Sequence, residues 1–329
     1  MYMMAETLDD LMRRVLQKLL KSKNRLDPTK GANTELTGVL LKITNPRARL
    51  SRTEIKGTLF SCLGEFLWYL AKSNDLVFIR YYLKNYGEFS DDGQTLHGAY
   101  GPRMFYMRGI NQIENVVDLL GKKPQSRQAV IQLFNAEDIA QSYKDVPCTG
   151  TLQFMIRRRH LHMITNMRSN DAYIGLPHDV FSFTMIQEIV ARRLNVELGT
   201  YKHFSGSLHL YDKNRDDAQR YLDEGWQPTR LKMPTMPAGD PRSSISALLG
   251  AEYAIRNGRE VDLPALNLDP YWADLVRVLQ IFAKSGEEKE IDVIKKNMHS
   301  DVYKIYIEKR KNMKPPVREI PNQLSLLLD

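Results

Sequence analysis

Cys148 is a residue whose type and setting could support covalent chemistry. It follows Pro147 and precedes residues 151–159, which alternate apolar and polar side chains and so predict a β-strand. A thiol at the mouth of a strand can act as a nucleophile, and a nearby arginine lowers the pKa of such a thiol. A cysteine outside a disulfide is also a common small apolar residue of protein cores. Residue type alone leaves both interpretations of Cys148 open.

Arg168-Ser169 stands at the end of residues 161–168, which predict the other arm of a β-hairpin. A guanidinium fork and a hydroxyl can together bind a phosphate, and an ordinary surface salt bridge is the alternative. Glu65 is conspicuous for another reason, because residues 57–72 predict a helix that is apolar on nearly all sides and therefore central. A carboxylate inside such a helix is unusual, because Glu is rarely buried.

The elements that must position these side chains follow from the periodicity of the apolar residues. We expect a first helix capped by Thr7, a loop over residues 26–38, strands over 39–44, 128–135 and 201–211, and a helix over 179–194. Beyond about Trp226, prolines mark a loop, and helices are predicted over residues 243–256, 271–284 and 301–311.

The composition is that of an ordinary folded protein of 329 residues, with a formal net charge of +8. Such a length buries a large core, which excludes intrinsic disorder and small disulfide-stapled scaffolds. Two cysteines cannot supply a four-cysteine zinc site, so we expect no metal and a reducing, cytoplasmic setting. We expect no membrane association, because no apolar stretch is long enough to span a bilayer and the start does not resemble a signal peptide. The positive charge permits a nucleic acid, a nucleotide phosphate or an anionic cofactor as partner.

Four motifs stand in a characteristic order: Pro147-Cys148, Arg168-Ser169-x-Asp171, Gly175-Leu176-Pro177 and His209-Leu210-Tyr211. Together with weaker agreement at residues 65–68, 100–101 and 126–127, they make the chain resemble the thymidylate synthase family over about residues 5–225. The resemblance implies an α/β (α+β) fold, a curved mixed β-sheet flanked by helices. We therefore predict a catalytic domain over residues 1–226 and a mainly helical C-terminal extension over residues 227–329 that packs on it.

The resemblance implies a one-carbon transfer from 5,10-methylenetetrahydrofolate to the ring of a pyrimidine nucleoside monophosphate. Carbon C5 of a pyrimidine is a poor nucleophile, and a thiolate that adds at C6 turns C5 into an enamine carbon able to attack the folate-borne methylene. In the family pattern Cys148 is that thiolate, Tyr100 lies near it, and Glu65 orders water and moves protons. Asp171 matches the aspartate that receives the pterin ring of the folate.

His209 and Tyr211 match residues that bond the sugar hydroxyl, and a buried strand pair with satisfied polar groups is the alternative for both. The choice between ribose and deoxyribose stays open. Tyr86, with Phe89, stands where the family has a tryptophan pair in its active-site loop, and we expect Tyr86 to contact the folate.

The phosphate ligands of the family match Arg168 and Ser169 and, from the neighbouring subunit of a homodimer, Arg127. The family has two successive arginines at that last position, whereas here Gln128 follows Arg127. One phosphate contact is therefore missing or supplied from elsewhere. We expect Lys30 to substitute for an N-terminal arginine of the family.

Asp179 is the departure from the family pattern that decides the expected substrate, because thymidylate synthases have asparagine at this position. That asparagine donates to O4 of uracil and accepts from N3–H. Cytosine presents the opposite pattern, and an aspartate can serve it as a neutral acid or as a carboxylate facing an N3-protonated ring. The aspartate would leave O4 of uracil without a donor, at a cost of about 1–3 kcal/mol. We therefore expect a cytidine monophosphate (CMP or dCMP), as in the cytidylate hydroxymethylases that carry the same change.

The expected product is the 5-hydroxymethyl nucleotide, in which water captures the exocyclic methylene that thymidylate synthases reduce by hydride. The changed aromatic pair and residues 326–329, which lack the closing tail of the family, both favour a pocket open to water. A divergent thymidylate synthase that methylates a uracil nucleotide is the alternative enzyme. A nucleic-acid-binding protein on the same scaffold is suggested by the lysine-rich residues 295–314, but the intact Cys148 and Arg168 favour an enzyme without a nucleic-acid partner.

Overall fold

A computed structural model describes residues 1–28, 31–51, 53, 57–229 and 231–319. In these residues the strands are β1 (Tyr2–Ala5), β2 (Arg25–Leu26), β3 (Asn33–Ile43), β4 (Val130–Gln132), β5 (Thr149–Arg157), β6 (His160–Asp171) and β7 (Glu197–Tyr211). They form one sheet in the order β1-β3-β7-β6-β5-β4, with β2 paired to β3. The β1/β3 and β6/β7 pairs are parallel and the other pairs antiparallel. The predicted fold, a curved mixed sheet flanked by helices, is confirmed.

Eleven α-helices lie within the described residues. They are α1 (Leu8–Lys21), α2 (Leu59–Leu70), α3 (Leu76–Tyr82), α4 (Tyr100–Phe105), α5 (Gln112–Lys122), α6 (Gly175–Arg193), α7 (Arg215–Asp223), α8 (Arg242–Arg256), α9 (Pro270–Ala283), α10 (Glu288–Lys296) and α11 (Lys304–Ile307). Thr7 caps α1 as predicted, because its Oγ1 accepts the backbone N–H of Asp10 at 3.1 Å.

The sheet has one covered face and one partly open face. Along β6, residues alternate between buried and half-buried from Leu161 to Met167, since successive side chains of a strand point to opposite faces. Helix α6 packs against β6 and β7 on the covered side. On the other side Phe204 of β7 is 36% exposed.

Helices α2 and α6 meet at the centre of the molecule. Phe66 of α2 contacts Phe181 of α6 edge to face, with ring centroids 6.1 Å apart. Helix α2 also passes close to Tyr82, and a Cβ atom at Gly64 would lie 2.1 Å from that ring, so this position requires glycine. Helix α6 begins at Gly175 rather than at residue 179, because Pro177 is tolerated in a first helical turn. Asp179 therefore lies inside the helix instead of at its start.

Further differences from the sequence prediction concern β3, the segment over residues 301–311 and α10. Strand β3 begins at Asn33 rather than at residue 39, because its pairing with β7 continues past Gly38, whose φ of +60° suits glycine. The helix predicted over residues 301–311 is instead a series of short turns, of which α11 is the only α-helical one described. Helix α10 is absent from the sequence prediction, because its residues are mostly charged and only Ile291 among them is buried.

The residues after 230 pack on the rest of the chain through apolar and charged contacts. Phe282 of α9 stacks on Phe60 of α2, with ring centroids 5.8 Å apart. Arg49 and Glu188 form an ion pair with both side chains fully buried, and Glu188 also accepts the backbone N–H of Met236 at 3.0 Å. We call Arg49, Glu188 and Met236 the C-terminal seam. The division of the chain at residue 226 stays a prediction.

Candidate active site

Cys148 lies directly before β5, half-buried, at the edge of the sheet where β6 and β7 end. Its carbonyl oxygen accepts the backbone N–H of Arg168 at 2.8 Å. The guanidinium of Arg168 donates from Nε to the carbonyl of Pro147 and from Nη2 to that of Val146, both at 2.9 Å. Arg168 thus holds the segment that carries the thiol, while its Nη1 lies outside these bonds on an exposed side chain.

Tyr100, the first residue of α4, lies next to this segment. Its hydroxyl oxygen accepts the backbone N–H of Thr149 at 3.1 Å and the Oγ1 hydroxyl of Thr149 at 2.9 Å. Burial raises the pKa of Tyr100 well above its usual value, and the negative charges of Cys148 and Asp179 raise it further. The phenol is therefore a neutral, fixed group beside the thiol.

Asp171, His209 and Tyr211 meet at the same edge of the sheet. Asp171 is paired with His209 across the parallel strands β6 and β7. Its Oδ1 accepts two backbone N–H groups of the following turn, at 2.8 and 3.0 Å, and its Oδ2 lies outside these turn bonds. The rings of His209 and Tyr211 contact edge to face at 4.9 Å. Burial raises the pKa of Tyr211, and the charges of Asp171 and Cys148 add to this, which places all four groups in one electrostatic neighbourhood.

Glu65 is 5% exposed within α2, and its Oε1 accepts a hydrogen bond from the hydroxyl of Tyr86. The ring of Tyr86 lies edge to face against Trp68 at 6.1 Å and Phe89 at 5.9 Å. Burial raises the pKa of Tyr86 well above its usual value, and the charge of Glu65 raises it further. The residue expected to contact folate is thus bonded to the residue expected to move protons, a link that the sequence does not indicate.

Asp179 is 9% exposed on α6, and its Oδ2 accepts the side-chain amide of Asn170 at 2.7 Å. Burial raises the pKa of Asp179 to about 8, and the charge of Glu65 adds to the rise, whereas the bond from Asn170 opposes it. At neutral pH the group is therefore mainly a neutral acid with an O–H donor. The sequence argument that uracil O4 finds no donor at Asp179 is wrong for this protonation state.

Asn170, His203 and Tyr201 are neighbours of Asp179 that the sequence analysis did not identify. Nε2 of His203 lies 3.1 Å from Oδ1 of Asn170, and the hydroxyl of Tyr201 lies 3.0 Å from Nδ1 of His203. Gly175 leaves room for this contact, because a Cβ there would lie 3.1 Å from the Asn170 amide nitrogen. The sequence offered one signal for this group: His203 lies on the buried face of β7, between the buried residues Tyr201 and Ser205.

The remaining predicted phosphate ligands are not all brought together in one protomer. Ser169 is half-buried on β6, next to Arg168. Arg127 is exposed, and its carbonyl oxygen accepts a hydrogen bond from the side-chain amide of Gln153. Gln153 lies five residues after Cys148 along β5, which corresponds to roughly 16 Å at strand spacing. Lys30 lies outside the described residues. The structure therefore groups Arg168 and Ser169 with the thiol and leaves Arg127 apart from them.

A cavity of about 340 Å³ is lined by residues that include Asp92, His97 and Tyr143. His97 stacks on Tyr143 at 3.6 Å and contacts Asp138 at 2.7 Å. None of the predicted site residues within the described chain lines this cavity. The cavity is therefore not part of the candidate site around Cys148.

Two searches of the described residues concern metals and membranes. No group of three or more His, Cys, Asp or Glu side chains lies close enough together to hold a metal ion in this part of the chain. None of the helices described above is long and apolar enough to cross a bilayer.

Known proteins that resemble this chain include two phage proteins and a solved phage structure. The chain is 32% identical over 213 residues to a deoxyuridylate hydroxymethyltransferase of Bacillus phage SP01, covering 60% of this chain and 55% of the phage protein. It is 31% identical over 206 residues to a protein of the same name from Delftia phage PhiW-14, covering 58% and 57%. The chain thus spans a little over half the length of these curated relatives.

Among solved structures, the thymidylate synthase of T4 phage matches with a TM-score of 0.56 and 21% identity, over 66% of this chain and 80% of that chain, which shows the fold alone. A sequence profile described as thymidylate synthase matches residues 6–249, some way beyond the point at which the motifs end. That match includes the thiol, the strand ends and the helix described above, and the chain belongs to the thymidylate synthase family.

Proposed function

We propose that this protein transfers a one-carbon unit from 5,10-methylenetetrahydrofolate to C5 of a cytidine monophosphate (CMP or dCMP), and that water completes a 5-hydroxymethyl group. The observation that carries the proposal is the buried Asp179, which is mainly a neutral acid and stands where thymidylate synthases have asparagine. Its O–H can donate to N3 of cytosine while its other oxygen accepts from the N4 amine. N3 of cytosine is basic, so this O–H···N bond shares its proton and is stronger than one to the carbonyl O4 of uracil.

Cys148 supplies the nucleophile in this proposal. Its sulfur adds to C6 of the base, which transfers the electron pair of the C5–C6 double bond to C5. C5 then bonds to the methylene carbon of the folate and loses its proton. The bond from that carbon to the folate nitrogen breaks, which releases tetrahydrofolate and leaves an exocyclic methylene on C5. Water adds to this methylene, and the sulfur leaves C6 as the C5–C6 double bond forms again. Arg168 fixes the backbone before the thiol through two carbonyls, so the sulfur keeps its position through both steps.

Folate is the co-substrate, and it supplies a carbon unit at the oxidation level of formaldehyde. Two features of the chain suit a pterin ring: the Oδ2 of Asp171, which lies outside the turn's own hydrogen bonds, and the aromatic group of Trp68, Tyr86 and Phe89. A carboxylate can accept from the ring's N–H groups, and aromatic edges and faces can contact the ring itself.

Glu65 is the group that we assign to water and protons. Its carboxylate is buried and already accepts from Tyr86, so a water bound to it would have one fixed partner and one free direction. Water held here would attack the exocyclic methylene on C5, which yields a hydroxymethyl group rather than the methyl group of hydride transfer.

His209 and Tyr211 are proposed to contact the sugar, and Arg168 with Ser169 the phosphate. We further propose that the protein is a homodimer in which Arg127 reaches the phosphate of the partner's site. The exposed Arg127 and the half-open face of the sheet around Phe204 support this arrangement. Because both cysteines are free and unpaired thiols are typical of reducing compartments, we propose a cytoplasmic location.

A mixing experiment tests the dimer. Cys148→Ser and Arg127→Ala proteins, each inactive alone, should regain about a quarter of wild-type activity when their subunits are exchanged, because one site in each mixed dimer has both groups. Mixtures that remain inactive despite exchanged subunits would show that Arg127 acts within its own protomer. An Arg127→Ala protein that is active alone would show that Arg127 is not a phosphate ligand.

The substrate is tested by incubating the protein with methylenetetrahydrofolate and, separately, CMP, dCMP, UMP and dUMP, and weighing each product. We expect a gain of one CH2O on a cytosine nucleotide, and the same assay identifies the sugar. A gain of CH2 on a uracil nucleotide, with dihydrofolate formed, would instead make the protein a methylating thymidylate synthase.

Hydroxymethylation of a uracil nucleotide is the second candidate, and two observations favour it. The relatives from the two phages are named deoxyuridylate hydroxymethyltransferases. The neutral acid at Asp179 can also donate to O4 and accept from N3–H. A gain of CH2O on UMP or dUMP in the same assay, with none on CMP or dCMP, would establish this candidate and exclude cytosine.

The alternative of another class, a nucleic-acid-binding protein, has little support in the lysine-rich stretch. Lys295 and Lys311 both pair with Glu308, and Lys304 pairs with Asp301. These lysines are therefore partly neutralised by carboxylates nearby. Steeply salt-dependent retention on a nucleic-acid column would revive that alternative.

A further inference from the structure

We propose that Asn170, held by His203 and Tyr201, is a positioning residue that fixes which oxygen of Asp179 presents a proton to the base. The three residues are 4%, 1% and 0% exposed, and they form one line of hydrogen bonds that ends on Asp179. The proposal rests on the proposed function, because it takes Asp179 to be the group that reads the pyrimidine.

The protons in this line can be assigned one by one. Oδ1 of Asn170 can only accept, so Nε2 of His203 at 3.1 Å is the donor. Burial lowers the pKa of His203 to about 3, so the ring is neutral and its Nδ1 accepts from the hydroxyl of Tyr201 at 3.0 Å. The amide nitrogen of Asn170 is thereby turned toward Oδ2 of Asp179, 2.7 Å away.

This arrangement removes the symmetry of the carboxyl group. Oδ2 of Asp179 is occupied as an acceptor, so the proton of the neutral acid lies on Oδ1. Cytosine and uracil present opposite donor and acceptor orders at N3 and at the C4 substituent. A carboxyl group whose proton is free to exchange oxygens can satisfy either order, whereas one whose proton is fixed on Oδ1 satisfies a single order. Asn170 would therefore convert a tolerant acid into a selective one.

Other groups around Asp179 set its protonation but do not distinguish its two oxygens in this way. Charges and phenols approach it from several elements: Glu65 and Tyr69 on α2, Tyr100 on α4, Asp171 on β6, Tyr201 on β7 and His178 on α6. Asn170 is the group recorded as a hydrogen-bond donor to the Asp179 carboxyl within the described chain.

The test compares His203→Gln with His203→Leu and both with Asn170→Ala. Glutamine keeps an N–H where Nε2 donates, and leucine removes it. We expect Asn170→Ala and His203→Leu to lower the cytosine-to-uracil ratio of kcat/KM about tenfold, and His203→Gln to keep it within about twofold. Thr184→Val is the matched control, because Thr184 is a buried hydroxyl of α6 that bonds only helix carbonyls.

A second measurement does not depend on which base is preferred. Because the bond from Asn170 lowers the pKa of Asp179, Asn170→Ala should move the alkaline midpoint of nucleotide binding upward by about one pH unit, and Thr184→Val should not move it. An unchanged base ratio and an unchanged midpoint in Asn170→Ala would overturn the proposal. A wild-type protein that prefers uracil would refute the proposed substrate but not the role of Asn170. In that case, a shift of the kcat/KM ratio toward cytosine in Asn170→Ala would support the role of Asn170.

Discussion

The N-terminal end of α6 and the C-terminal seam each bury a carboxyl group, but the carboxyl groups have different partners. Asp179 accepts from the neutral amide of Asn170, and burial raises its pKa to about 8. Glu188, on the same helix, is fully buried against the guanidinium of Arg49 and also accepts the N–H of Met236. Burial of an ionisable group is thus common to both regions, and the partner decides what the group can do.

The same contrast holds for two tyrosine–glutamate pairs. Tyr82 donates to Glu252 at 2.9 Å, and Glu252 is also paired with Arg256. Tyr86 donates to Glu65, and Glu65 forms no ion pair within the described part of the chain. A buried carboxylate in an ion pair contributes to structure, whereas one outside any ion pair retains the capacity to exchange protons or select a ligand. Substitutions in the two regions should therefore have opposite effects on chemistry and stability.

The largest expected effect is on chemistry and follows Cys148→Ser. Turnover should fall at least about a thousandfold because a hydroxyl cannot replace the thiolate, while nucleotide affinity and the free energy of unfolding stay close to wild type. Single-turnover assays and nucleotide titration measure both. Cys62→Ser, at a cysteine that is 2% exposed in α2, serves as the control that keeps activity. Substantial turnover by Cys148→Ser would refute the covalent mechanism.

The largest expected effect on stability follows Arg49→Met in the seam. Removal of the cation leaves Glu188 buried without a counter-charge, which should cost about 3–5 kcal/mol in the free energy of unfolding. The kcat of the molecules that remain folded should not change. Denaturant titration measures the loss, and Lys284→Met, at an exposed pair with Glu287, should change stability by less than about 0.5 kcal/mol. Equal effects of the two substitutions would contradict the role assigned to the seam.

Asp179→Asn should change base preference with little loss of stability. The amide restores the family's donor and acceptor order, so we expect the cytosine-to-uracil ratio of kcat/KM to fall about thirtyfold. Competition assays with paired nucleotides measure the ratio. If it stays at the wild-type value, Asp179 does not read the base.

The pH dependence of stability tests the protonation of Asp179. Asp179 has a pKa raised from 3.8 to about 8 in the folded protein, so the folded state binds its proton more tightly than the unfolded chain does. As pH rises from about 4 to about 8, the free energy of unfolding of wild type should therefore fall relative to that of Asp179→Asn. The loss is on the order of 1.4 kcal/mol per pH unit, and no further change is expected above about pH 8. Unfolding free energies at about pH 5, 7 and 9 measure this, and parallel curves for the two proteins would exclude the raised pKa.

The smallest expected effect comes from the tyrosine pair. Tyr86→Phe frees Glu65 from its hydroxyl partner, and kcat should fall about fivefold while KM for the nucleotide is unchanged. Tyr82→Phe should leave kcat unchanged and lower stability by about 1 kcal/mol, because Glu252 keeps Arg256. Steady-state kinetics and denaturant titration of both variants measure these effects. An equal loss of kcat in Tyr86→Phe and Tyr82→Phe would contradict the different roles assigned to Glu65 and Glu252.

Much of the fold and several site residues could be predicted from the sequence, because periodicity and local motifs depend on neighbouring residues. The alternation of β5 and β6 places the strands, Thr7 marks the start of α1, and the spacing of Cys148 and Arg168 indicates that they meet at one edge. Charged stretches were predicted less well. Helix α10 was missed because most of its residues are charged and only Ile291 among them is buried. The segment after residue 300 is divided into short turns, and it is held by contacts with distant residues such as Asp274.

The sequence by itself determined the chemistry that is present: a thiol, a guanidinium and hydroxyl pair, buried carboxylates and an aspartate in place of asparagine. Only the tertiary structure decided their protonation and their partners. Burial between α2, β6 and α6 makes Asp179 mainly a neutral acid, and the line from Tyr201 through His203 to Asn170 joins residues that are distant in the chain. The physical reason is that desolvation and hydrogen-bond direction depend on three-dimensional surroundings, which residue type and local spacing do not specify.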